Sequence, residues 1–227
     1  RRSDCTNKLK QLALAIHNHA DVKKLFPAGG QYAATPNFGS SSWCSSGVGG
    51  NTSAREPWSV AILPYIEDSA LYDQFRLNEA FTSSSNVAGS STNHALFNTP
   101  NPAFQCPSDI ASKPSANNTS YFGVQGGGDP SNAPANSGYC STQGSTRVFW
   151  RNGMLFFKSE TRFADCTDGT SKVFLLGETK YHLQKGGRPD NIDTSWMSGM
   201  KIDAYGAPLV LAAAQEPINS ILKGGTE

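Results

Sequence analysis

The sequence predicts an α+β domain in which an N-terminal amphipathic helix packs on an antiparallel β-sheet that carries long Gly/Ser-rich loops. Three observations predict it. Residues 1–20 are rich in helix formers and contain neither Gly nor Pro. From residue 119 onward, short apolar runs alternate with clusters of turn residues, the pattern of strands. The chain also holds 22 Gly and 13 Pro with only 16% charged residues, which favours a loop-rich, β-containing extracellular domain over a helical cytosolic enzyme. Its 227 residues suffice to bury a sizeable core and read as one domain over 1–227.

The formal net charge is +1 with acids and bases interspersed, which argues against a nucleic-acid partner or an anionic-membrane surface. No run approaches the roughly 18 apolar residues of a membrane span. The five cysteines, Cys5, Cys44, Cys106, Cys140 and Cys166, are scattered without Cys-x-x-Cys or Cys/His spacing, so a zinc site is not expected. Scattered cysteines in a polar chain read as disulfides in an oxidising compartment, with one thiol left over. Two bridges among five cysteines allow about fifteen arrangements, and spacing selects none of them.

The first helix places Cys5, Leu9, Leu12, Ala13, Ile16 and Ala20 on one side, with Arg1, Arg2, Lys8, Lys10 and Asn18 on the other. It begins with no Met and no leader, as a piece cut from something longer would. Leu25 to Gly30 is a stop, because Pro27 restricts Phe26 and two glycines follow. Residues 31–56 read as a long surface excursion carrying Trp43 and Cys44. A second helix is expected over 57–76, kinked or restarted at Pro64. Asn93 to Phe97 suggests one helical turn, and Phe104 to Asp109 a corner.

Residues 119–200 read as mainly β. Thr119 to Gln125 alternates as a strand and is ended by Gly126 to Pro130. Arg147–Trp150 and Met154–Phe157 flank Asn152-Gly153, the sequence signature of a hairpin. Lys172 to Glu178 is apolar enough for a strand buried on both faces, and Thr194 to Ser198 is a further strand candidate. Beyond Met200 the pattern is weak.

No catalytic constellation emerges. His17 and His19, two apart on a helix, point roughly 200° away from each other and cannot share an ion. There is no Gly-x-Ser-x-Gly elbow, and His94 and His182 have no catalytic context. Gly126 to Asp129 follows a strand as a phosphate loop would, but no Lys-Ser/Thr comes after it. Asp165, Asp168, Glu178 and His182 flank one strand, and the three carboxylates are the candidates for calcium, with turn chemistry at Asp168-Gly169 as the competing reading. Trp43 and Tyr139, each beside a cysteine in a long loop, are the candidate binding residues for a sugar or a protein.

Five blocks in order carry a resemblance. They are Arg1-Arg2-Ser3-x-Cys5-x-Asn7-x-Leu9-Lys10-Gln11 with His17-Asn18 and Phe26-Pro27; Trp58 through Pro64 to Glu67 with Leu71-Tyr72; Phe104-x-Cys106-Pro107-Ser108-Asp109; Thr119-x-Tyr121-x-Gly123; and Asp168-Gly169-Thr170-Ser171 leading to Gly177-Glu178. Together they resemble the large planctomycete family of pseudopilin-like proteins of unknown function, domain of unknown function 1559. These in turn look like type IV pilins and type II secretion pseudopilins.

The resemblance implies a pilin-like fold with residues 1–20 as the soluble half of a longer helix. The missing half would be apolar and preceded by a cleavable leader. It implies a non-enzymatic structural subunit of a cell-envelope, extracellular or periplasmic assembly, without cofactor. Such a subunit would associate with itself or with other pilin-like subunits, and would meet a membrane only through that missing segment. The family's recurring cysteines imply a Cys5–Cys106 disulfide. Cys44 and Cys140, in the two long insertions, are the second expected pair, leaving Cys166 free. The family's usual His and Asp-Gly close is absent after Asn219, which suggests a truncated or disordered C-terminal tail. The alternative is a secreted or surface module that binds carbohydrate or peptide through aromatic loops, and a metal-assisted hydrolase is a third reading.

Overall fold

The structure, a computed structural model, describes residues 2–34, 37–38, 43–44, 54–81, 92–97, 99–109, 117–129, 138–142, 147–167, 169–178, 195–199 and 210–214. Among these residues it is a mixed α+β arrangement of one 22-residue helix, several short helical turns and three small sheets.

Helix α1 spans Arg2–Lys23, with Asp4 in its first turn and Lys23 in its last, which complements the helix dipole. Cys5, Leu12, Ala15, Ile16 and Ala20 are buried and Leu9 packs against the core. The apolar face is thus the one periodicity indicates, with Ala15 added and Ala13 only half-buried. Leu14, 60% exposed, stands opposite. The helix stops where Lys24 adopts a left-handed φ of 63° and Pro27 bars Phe26 from helical geometry.

Strand β1 (Gly30–Tyr32) pairs antiparallel with β2 (Ala54–Pro57). The helix expected over 57–76 with a kink or restart at Pro64 is broken there and again at Glu67, into α2 (Trp58–Ala61), a 3-10 turn at Leu63–Tyr65 and α3 (Ser69–Tyr72). The cause is local. Pro64 supplies no backbone donor, and Glu67 takes φ 64°, which no helix continues through. Helix α4 (Thr92–Leu96) falls at the expected turn. A 3-10 turn at Pro102–Phe104 leads into the corner at Cys106, closed by Asp109 N–H donating to Cys106 O at 3.0 Å.

Strands β3 (Tyr121–Gly127), β4 (Cys140–Thr142), β5 (Arg147–Phe149), β6 (Leu176–Glu178) and β7 (Leu211–Ala214) complete the fold. β3 is central in a sheet of order β6-β3-β7, antiparallel to β6 with Tyr121 opposite Glu178, and parallel to β7 with Gly123 opposite Leu211. β4 and β5 pair antiparallel, Cys140 opposite Phe149.

Several expectations are overturned here. Asn152-Gly153 does not close a hairpin, since β5 pairs with β4 and the chain after it runs beside β3, Gly153 N–H donating to Gln125 O at 3.1 Å and Leu155 N–H to Val124 O at 3.3 Å. The Asn152 amide is committed to Gly127, accepting from its N–H at 3.0 Å and donating to its carbonyl at 2.8 Å. Residues 172–178 are not a doubly buried strand. A 3-10 turn occupies Thr170–Lys172, Phe174 is 61% exposed, and among the described residues β6 pairs with β3 alone. Residues 195–199 form a turn, with Ser198 N–H donating to Ser195 O at 3.0 Å. The parallel strand β7 has no counterpart in the sequence reading, because Leu211–Ala214 shows no alternation.

The core is aromatic. Phe104 stacks on Trp196 with ring centroids 5.1 Å apart and meets Trp58 edge-on at 5.9 Å, while the Trp58 indole N–H donates to Val210 O at 2.9 Å. Tyr32, Phe38, Trp43, Phe149 and Phe157 form a second group, centred on Trp43 at 5.8 Å from Phe149. Both belong to one contiguous buried cluster that includes α1.

Candidate functional site

Residues from α1, the Cys106 corner, β3 and β6 converge at the first turns of α1. Two disulfides are present, Cys5–Cys106 and Cys44–Cys140, with Cys166 free. These are the two expected pairs, the first implied by the resemblance and the second by the place of Cys44 and Cys140 in the long insertions. Cys5 and Cys106 are each 2% exposed. One turn further along α1, the Lys8 ammonium donates to Pro102 O at 2.6 Å and to Gln105 O at 3.0 Å. Burial lowers the Lys8 pKa, an effect that the Asp4 carboxylate opposes. The phenol of Tyr121 donates to Cys5 O at 3.0 Å, and Cys106 N–H donates to the Ser120 hydroxyl at 3.0 Å. Burial, and then the Glu178 carboxylate, push the Tyr121 phenol up. Glu178 is exposed, but a carboxylate oxygen lies within 4.8 Å of both sulfurs. α1 is therefore fixed to the Cys106 corner by a covalent bond and a two-carbonyl lysine clamp, and to the sheet by a buried phenol.

A second cluster gathers at the other end of α1. Glu56 on β2 accepts a hydrogen bond from Tyr72 on α3, and burial raises its carboxyl pKa against the opposing effects of that bond and of Lys23. One of its oxygens, Oε1, is buried without a hydrogen-bond partner among the described residues. Tyr72 is pushed up to about 12, by burial first and the Glu56 charge second. The His19 ring contacts Tyr65 edge-on at 5.6 Å, and its Nδ1 lies 3.1 Å from Leu25 O. Burial lowers the His19 pKa, with the Leu25 carbonyl acting in the opposite direction.

The residues singled out from sequence scatter. His17 and His19 face different neighbours, His17 stacking on Phe163 at 5.4 Å. Asp165 uses its carboxylate to cap its own turn, accepting from Arg162 N–H at 2.7 Å. It sits beside the His17 end of α1, whereas Glu178 sits beside the Cys5 end, about 18 Å away at 1.5 Å per helical residue. The structure thus does not bring Asp165 and Glu178 together as calcium ligands, and Asp168 and His182 lie outside the described residues. Trp43, expected on a surface loop, is 1% exposed, so it fills the core rather than presenting a binding ring. Its neighbour is internal too, the Arg151 guanidinium lying 4.4 Å from the Phe38 centroid and 5.6 Å from that of Trp43. Tyr139 is half-buried against Trp150, centroids 4.9 Å apart.

Sequence reasoning missed Lys8, Tyr121, Glu56 and Tyr72. Lys8 had a signal, one helical turn from Cys5 on the same helix. The Glu56–Tyr72 pair had none, because its partners lie 16 positions apart on different elements, with a broken helix between them.

Fold and covalent ties define a disulfide-stapled α+β domain whose N-terminal helix is bolted to its sheet at the first turns. Two disulfides are what an oxidising, non-cytoplasmic compartment preserves. No helix among the described residues is long and apolar enough to cross a membrane. Residues 1–222 match the model of a family described as "Protein of unknown function (DUF1559)", and the chain belongs to that family. Neither the curated proteins nor the solved structures hold a match to it.

Proposed function

We propose that the protein is a non-enzymatic, pseudopilin-like structural subunit of a cell-envelope or extracellular assembly, with α1 as the stalk from which the rest of the domain is carried. The observation that carries this reading is the fixing of α1 at its first turns by Cys5–Cys106 and by the Lys8 clamp. A helix that merely contributed an apolar face would be held by packing alone. A helix that passes force from an assembly to a head needs ties that do not slide, and it needs them near the end closest to the assembly. The Cys5–Cys106 bridge supplies this, and among the described residues the sheets are only two or three strands wide.

The full-length protein tests the reading. Sheared from its native cells and sized under non-denaturing conditions, it is expected in large assemblies of the envelope or extracellular fraction. Recovery only as a monomer in the culture fluid would contradict it.

A further inference from the structure

We infer that the reduced form of the Cys5–Cys106 staple, together with Glu178, is a binding site for a thiophilic divalent cation such as Zn2+. Among the described residues, Cys5, Cys106 and Glu178 are the group of three donors whose ligand atoms all lie within 4.8 Å of one another. They come from three separate elements, α1, the corner before β3, and β6, so the cluster is made by the fold and not by a local sequence motif. The proposal goes beyond the structural role, because it assigns the same three residues a ligand.

The chemistry is specific. A dithiol reductant transfers two electrons and two protons to the disulfide, giving two thiols and its own oxidised disulfide. Two thiols next to a carboxylate leave three potential negative charges in a nearly buried corner, an arrangement that opposes ionisation unless a cation enters. When Zn2+ enters, the two thiol protons leave to solvent and both sulfurs bind as thiolates. Two thiolates and one carboxylate oxygen are the donor types zinc takes, and three protein donors leave the fourth tetrahedral position for water. Donors on one such ion lie roughly 3.5–3.8 Å apart, by the geometry of bonds of about 2.0–2.3 Å. The cysteine Cα atoms are already 4.9 Å apart, and the exposed Glu178 carboxylate, within 4.8 Å of both sulfurs, needs to close by a distance on the order of 1 Å. The consequence is mechanical. Oxidised, α1 is held to the Cys106 corner by a covalent bond; reduced with metal, it is held at the same place by an ion.

The test uses the whole chain. The protein is reduced with a phosphine, desalted without oxygen and titrated with Co2+, whose thiolate charge-transfer and tetrahedral ligand-field bands report the donors. Native protein and the Cys44→Ser/Cys140→Ser variant are both expected to take one equivalent that Zn2+ displaces, and the oxidised protein to take none. Glu178→Gln, which leaves the staple able to form, is expected to weaken binding at least tenfold, about the lower bound for disturbing a metal's immediate surroundings. The absence of thiolate–cobalt bands, or an affinity unchanged by Glu178→Gln, overturns the proposal. So does a reduced chain that loses its helical circular dichroism and does not regain it with Zn2+.

Discussion

The phenol of Tyr121 donates to the carbonyl of Cys5 at 3.0 Å, joining residues 116 positions apart in the chain. The tyrosine is fully buried and its strand is the centre of the largest sheet, so the contact sets the height of α1 on that sheet. Tyr121→Phe removes the hydroxyl and leaves the ring. It is expected to cost about 0.5–1.5 kcal/mol, the net worth of one buried neutral hydrogen bond, read from denaturant midpoints at constant slope.

Removing the staple itself costs more. The Cys5→Ser/Cys106→Ser variant opens a loop of 101 residues and is expected to lose about 2–5 kcal/mol. Amide exchange should accelerate first in the N-terminal turns of α1, where the ties through Lys8 and Tyr121 are non-covalent. Uniform acceleration across all strands would show instead that the bridge acts only on the unfolded chain.

Glu56 predicts an inverse pH response. Its folded pKa lies above the ordinary 4.5 because of burial, so the stability it contributes is present below 4.5 and is lost as pH rises through the raised value. Glu56→Gln keeps an acceptor for Tyr72 and removes the buried charge. It is expected to melt higher than the native protein at neutral pH, with the gap closing on acidification. A variant that melts lower at every pH would mean that the carboxylate is stabilised by its surroundings.

His19 acts with the opposite sign. Burial holds its folded pKa below 6.5, so its contribution is present above 6.5 and is lost as pH falls through the lowered value. Proton NMR titration of the ring should give a midpoint below that of a free histidine, and His19→Gln should flatten the melting curve against pH in that window.

Gly153 tests the correction at Asn152. A Cβ on Gly153 would overlap the backbone of Gln125 and Gly126, so Gly153→Ala is expected to destabilise by about 1–3 kcal/mol, as overpacking does. In a hairpin the penalty would come from the positive φ of the turn; Gly153 is not at positive φ, so the cost here comes from the close approach of β3.

What could be read from sequence depended on whether an element's cause was local. α1 was legible because helix formers, an apolar face and a proline stop all lie within 27 residues. The α4 turn and the Cys106 corner were legible for the same reason. The restart of the second helix at Pro64 was legible, whereas the further break at Glu67 was not, since the apolar spacing continues through it although the backbone there does not. The hairpin was misjudged because Asn-Gly serves two purposes, and only tertiary contact shows Asn152 bonded to Gly127. β7 was invisible, its partner β3 lying some 90 residues earlier and its own four residues carrying no period. At the site, the cysteines came from the resemblance, while Glu178 was noticed as a carboxylate but assigned to a calcium site with Asp165. Its actual neighbours, Tyr121 across the sheet and the two sulfurs, are set by strand register.

The central claim is that α1 is the distal half of a stalk. The most direct measurement is the sequence encoded immediately before Arg1 in the native gene. The account predicts about 20 predominantly apolar residues running without a break into Arg1, behind a short basic leader. A secretory signal ending at a small-residue cleavage site, or a polar linker from another domain, would contradict it.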